Sequence, residues 1–122
     1  MGKKILLADD SPVIQTLSKK IFHGQGYELT GLKSGAKVME QVQLHDYDVI
    51  ILDIILPEVG GMDLAKQIRA LDNKKKAETP IIAISGNYKN YSKSDFDEVG
   101  INEYLIKPLD YDALVKAVKK YA

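Results

Sequence analysis

Val49-Ile50-Ile51-Leu52-Asp53 is the stretch on which the fold turns. Four large aliphatic residues in a row, without polar alternation, suit a strand of a parallel sheet whose two faces are both covered. Three other runs share the pattern. Ile5-Leu6-Leu7-Ala8 leads into Asp9-Asp10, Ile81-Ile82-Ala83-Ile84 into Ser85, and Tyr104-Leu105-Ile106 into Lys107-Pro108. Each run ends in a chemically active side chain. Ligands of open parallel sheets bind beyond the carboxyl ends of the strands, so Asp9, Asp10, Asp53, Ser85 and Lys107 are expected to meet along one edge.

Between these runs the pattern takes a helical period. Ser11 is a good N-cap and Pro12 fits the first turn of a helix with Ile14, Leu17 and Ile21 on its inner face, ended by Gly24 and Gly26. Glu28–Leu32 reads as a weaker, edge-like strand. Ser34 is expected to cap a helix carrying Val38, Met39 and Val42. A loop with Pro57, Gly60 and Gly61 precedes a helix bearing Leu64, Ile68 and Leu71. The polar stretch Asn73–Thr79, with Lys74-Lys75-Lys76, reads as a solvated loop. A short helix is expected from Ser92 or Ser94 to Gly100, with Phe96 and Val99 facing the sheet. It is the least anchored element, because few apolar residues hold it. Asp110 caps the last helix, whose Leu114, Val118 and Tyr121 point inward. The order is βαβαβαβαβα, five strands and five helices, and right-handed crossovers make it a doubly wound α/β sheet.

Composition narrows the function classes. The chain has 122 residues, 17 basic and 17 acidic, and no cysteine. That length suits one domain with a real core. Balanced charge offers no electrostatic case for nucleic acid or an anionic membrane. Thiolate metal sites and disulfides are excluded. No apolar run reaches membrane-spanning length and none forms a signal-peptide core, so a cytoplasmic protein is expected. His23 and His45 lack metal-ligand spacing and receive no role.

The strand-end residues define a chemistry. Adjacent carboxylates repel unless a cation sits between them, and an all-oxygen site that also takes phosphate suits Mg²⁺. A carboxylate can attack phosphorus to give an acyl phosphate. A lysine and a metal then neutralise the transferring group. Taken singly, Asp9-Asp10 could merely cap a helix, Asp53 could punctuate a strand end, Ser85-Gly86 could be a turn and Lys107 a solvated lysine. Only the shared site explains all four strand ends together.

Asp9-Asp10-Ser11, Asp53, Pro57 with Gly61, Ser85-Gly86 and Tyr104-Leu105-Ile106-Lys107-Pro108, in that order, resemble the landmarks of a response-regulator receiver domain over essentially the whole chain, 1–122. The resemblance implies a flavodoxin-like sheet of order 2-1-3-4-5, the order of flavodoxin and the chemotaxis regulator. It implies two-component phosphorelay signalling rather than an enzyme. A sensor histidine kinase or histidine phosphotransfer protein would donate a phosphoryl group to Asp53, with Mg²⁺ held by Asp10, Asp53, the Ile55 carbonyl and Asp9. Ser85 and Lys107 would bind the phosphoryl oxygens. Ser85 and Tyr104 would form the switch, and the fourth helix, fifth strand and fifth helix the face for a downstream protein target. Five of the seven tyrosines, Tyr88, Tyr91, Tyr104, Tyr111 and Tyr121, fall in this last third, where an interface-favoured side chain suits a partner face.

Departures from the commonest family pattern are Ile55, apolar where a polar side chain often influences water attack, and Asn87 two after Ser85. The first implies a long-lived aspartyl phosphate and slow self-dephosphorylation. Ile55 also counts against a haloacid-dehalogenase-like phosphatase, which needs an Asp two residues after its nucleophile. A flavodoxin would want glycines where Asp9-Asp10 stand. A phosphoryl shuttle and a phosphorylation-independent binding module remain as alternatives. No output domain is expected after the last helix.

Overall fold

All five residues of the run Val49–Asp53 are buried. They form β3, the centre of a parallel sheet ordered β2-β1-β3-β4-β5. The computed structural model of the chain describes residues 2–86 and 91–122. In chain order its elements are β1 Lys4–Ala8, α1 Pro12–Gly24, β2 Glu28–Leu32, α2 Val38–Leu44, β3 Val49–Asp53, α3 Gly61–Arg69, α4 Lys74–Ala77, β4 Ile81–Ser85, α5 Lys93–Glu98, β5 Glu103–Ile106 and α6 Tyr111–Tyr121.

Successive side chains of a strand point to opposite faces, and the core divides accordingly. Leu6, Ile50, Leu52 and Ile81 join Val42 of α2, Leu64 of α3 and Phe96 of α5 on one face. Ile5, Leu7, Ile51 and Ile82 join Phe22 of α1 and Leu114 of α6 on the other. The sheet is therefore doubly wound, as expected, with order 2-1-3-4-5. Register aligns the strand ends: Ala8 lies opposite Leu52, and Asp53 opposite Ile84.

Four expectations need correction. The described residues hold six helices rather than five, because Asn73 caps a single turn, α4, by accepting the Lys76 N–H. Lys76 is accordingly no solvated lysine: its ammonium donates to the carbonyls of Val42 and His45, each at 2.7 Å, and pairs with Asp46 at 3.1 Å. Ser34 does not cap α2; its hydroxyl accepts from Ala36, and Lys37 begins the helix without a side-chain cap. The inner face of α1 is turned by one residue, so that Ser18 and Phe22 are buried while Leu17 is 40% exposed. Phe22 sets that rotation, its ring edge-on to Tyr27 at 5.8 Å. The remaining helices form where the reading puts them, although α3 ends at Arg69, short of Leu71; α5 is capped by Ser92 in a capping box with Asp95, and Phe96 and Val99 are buried.

Candidate functional site

At the end of β1 the chain passes from strand to helix within three residues. Asp9 is fully buried and its Oδ1 accepts the Ser11 N–H at 2.8 Å. Ser11 in turn caps α1 by accepting the Ile14 N–H. Asp10, between them, is exposed at the rim. Asp53, the last residue of β3, is buried, and its Oδ1 accepts the Ile55 N–H at 3.1 Å. Gly61 opens α3 directly against this strand end, and a Cβ there would stand 2.5 Å from the Asp53 carbonyl oxygen. Only glycine lets the helix begin so close.

Lys107 reaches across from the end of β5. Its Nζ donates to Asp53 Oδ2 at 2.7 Å and stands 3.0 Å from Asp9 Oδ2. The second approach is a charge contact without hydrogen-bond alignment, so among the described residues buried Asp9 Oδ2 has no directed partner. Asp9, Asp10 and Asp53 each offer a carboxylate oxygen, all within 4.8 Å of one another. One ammonium contacts two of these three carboxylates, Asp9 and Asp53.

That imbalance marks the electrostatics. Burial pushes the Asp53 carboxyl above its usual range, and the bonds from Lys107 and the Ile55 N–H offset this only in part. For Lys107, burial lowers the value, but the bond to Asp53 and the nearby charge of Asp9 outweigh it and hold the ammonium above the ordinary lysine value. A hard, all-oxygen donor set, surplus negative charge and an undirected buried carboxylate oxygen fit a divalent cation such as Mg²⁺.

Ser85 ends β4, buried, one residue beyond Ile84, the partner of Asp53, and its carbonyl accepts the Lys107 N–H at 2.9 Å. The five strand-end residues expected to meet thus lie on one rim. Ile55 is 60% exposed beside them. Tyr104 lies on β5, 37% exposed, with its ring 4.7 Å from that of Phe96, which also contacts Tyr91 at 6.0 Å. Asn87 and Tyr88 lie outside the described residues. Gln15 escaped the sequence reading altogether. Its side-chain amide donates to the carbonyls of Asp9 and Leu32, each at 3.0 Å. The one available signal was a polar residue at helical spacing from buried Ser18 and Phe22.

The family model described as response regulator receiver domain matches residues 5–119. The chain is similar to the receiver domain of sensor histidine kinase PA1611 from Pseudomonas aeruginosa PAO1, whose structure has a magnesium ion coordinated in its active site cleft. The two share 30% identity with a TM-score of 0.87, over 99% of this chain and 98% of that one. It is 25% identical over 121 residues to the polar-differentiation response regulator DivK of Brucella ovis, covering 99% of this chain and 97% of that protein. It is 29% identical over 116 residues, 95% of this chain, to the CAI-1 autoinducer sensor kinase/phosphatase CqsS of Vibrio cholerae, but spans only 17% of that kinase.

Proposed function

The chain belongs to the response regulator receiver family of two-component systems, and on that premise we propose that it carries a phosphoryl group on Asp53. The observation that carries this reading is the carboxylate of Asp53 at the end of the central strand, bonded to Lys107 and within 4.8 Å of Asp9 and Asp10. An Asp53 oxygen attacks the phosphorus of a phosphohistidine, the P–N bond breaks, and the imidazole leaves. Lys107 is placed to follow the developing charge on the phosphoryl oxygens, together with the Ser85 hydroxyl. Mg²⁺ bound by Asp10, Asp53 and the Ile55 carbonyl, with Asp9 behind them, would neutralise the phosphoryl group. Asp9 suits the outer role, since it is fully buried behind the exposed Asp10 and its Oδ1 is already held by the Ser11 N–H.

The donor is a sensor histidine kinase or a histidine phosphotransfer protein, and the protein works in the cytoplasm; among the described residues no helix is long and apolar enough to cross a membrane. Phosphorylation draws the Ser85 hydroxyl toward the phosphoryl group and releases Tyr104 from its stack on Phe96, remodelling the face of α5, β5 and α6 for a protein target. This face includes a groove of about 240 Å³ lined by Phe96, Tyr104 and Tyr121. The chain is a signalling acceptor rather than a turnover enzyme.

Incubation with acetyl phosphate should add one phosphoryl group, detected by intact mass, only when Mg²⁺ is present. Asp53→Asn should abolish it. Full labelling of the Asp53→Asn protein at another aspartate would overturn the assignment.

A further inference from the structure

Gln15 lies one turn into α1 and reaches back to the strand ends. Its Nε2 donates to Asp9 O and Leu32 O at 3.0 Å, with Leu7 O at 3.3 Å as a shared third acceptor. Three carbonyl oxygens can receive only the nitrogen end of the amide, which sets its orientation. These oxygens mark where the ladder between β1 and β2 runs out, and the Asp9 N–H itself closes that ladder on Leu32 O at 2.9 Å. The side chain gets there by crossing β2 at Gly31, where a Cβ would collide with Gln15 Oε1. A donor reach and a notch cut for it belong together.

Asp10 sits in the turn between the end of β1 and the start of α1. Gln15 belongs to the helix on one side of that turn and is bonded to the strand end on the other. We propose that Gln15 is a positioning residue for the acidic pair. By pinning the backbone of Asp9 to α1 and to β2, it fixes where the carboxylates of Asp9 and Asp10 stand relative to Asp53, and so sets the affinity for a divalent cation. The inference rests on the metal role proposed above. Mg²⁺ tolerates little departure from octahedral geometry, so a loosened turn is felt in binding more than in the fold. Partners that orient metal ligands from behind are worth roughly 10–100-fold in affinity.

Gln15→Met keeps the bulk of the side chain and removes the donors. Mg²⁺ titration of the full chain, followed by amide NMR shifts, should show binding about tenfold weaker than wild type. Hydrogen exchange of the Asp9 amide in the metal-free protein should be faster than in wild type. Unchanged Mg²⁺ affinity in Gln15→Met, with wild type binding normally, overturns the inference and leaves the site reading intact. If wild type binds no Mg²⁺, the site reading itself fails. Asp9 exchange in metal-free Gln15→Met then decides the positioning role, and an unchanged rate overturns it.

Discussion

At the amino end of the sheet, Arg69 donates to the carbonyls of Gly100, Ala77 and Thr79 and to Asn102 Oδ1, at 2.7–3.0 Å. Lys76 closes the carbonyls of Val42 and His45 in the same rim, its charge balanced by the carboxylate of Asp46. At the carboxyl end, Lys107 faces carboxylates instead, two of them, with Asp10 close by. Cations that meet neutral oxygens and no more than one carboxylate complete a loop's hydrogen bonding without surplus negative charge. A cation outnumbered by carboxylates leaves a field for a further positive charge or for a group brought with one. The first rim holds loops in place; the second gathers surplus negative charge at the strand ends.

The contrast predicts opposite responses to truncation. Arg69→Ala orphans carbonyls in two connections and should cost about 3 kcal/mol, read from urea denaturation. Asp10→Ala, which relieves crowding among carboxylates, should leave metal-free stability unchanged or higher. An Arg69→Ala protein as stable as wild type would erase the distinction.

A smaller effect concerns water at the carboxyl rim. Exposed Ile55 offers no polar atom to orient a hydrolytic water, so Ile55→Asn should speed loss of the phosphoryl group about tenfold. Decay of the phosphorylated protein followed by mass spectrometry tests this, and equal rates would show that another feature limits water.

Asp53 predicts a gentler pH dependence. Because burial raises its value in the fold, the folded chain keeps the Asp53 proton to higher pH than the unfolded chain, whose carboxyl titrates near 3.8. Asp53 therefore withdraws stability from the metal-free protein as pH rises from 3.8 through the raised folded value. Asp53→Asn should flatten the melting curve over that interval and melt higher at neutral pH. A steeper curve in the variant would contradict it.

The smallest displacement expected is that of an aromatic stack. Beryllofluoride with Mg²⁺ should shift the NMR signals of Tyr104, Phe96 and α5 more than those of α2, since Lys107 and Ser85 sit beside β5 and α5 has few anchors. Silence at Tyr104 would confine the response to the acidic rim.

Which residues gather at that rim was readable from the chain alone. An aliphatic run followed by Asp53 or Ser85 fixes both a buried strand and the place of the side chain that ends it, because parallel strands all present their carboxyl ends to one edge. The run before Lys107 gave the strand and its end but not its burial, since β5 is the edge strand with Tyr104 and Ile106 exposed. The Ser11 and Asp110 caps were legible for a similar reason, and that of α5 was narrowed to Ser92 or Ser94, since a cap and its N–H partners lie within three residues. What the chain did not disclose depends on contacts far apart in sequence. Lys76 looked like one of three solvated lysines until α4 set it beside residues 31 and 34 positions away. Gln15 and Arg69 gained their roles from carbonyls of other loops, and a carbonyl carries no residue-specific signal. The rotation of α1 was decided by Phe22 packing, not by helical spacing, which Ile14, Leu17 and Ile21 met equally well. Local pattern determined where the reactive groups stand; tertiary packing decided which polar side chains hold them there, because a hydrogen bond to distant backbone exists only once both segments have been brought together.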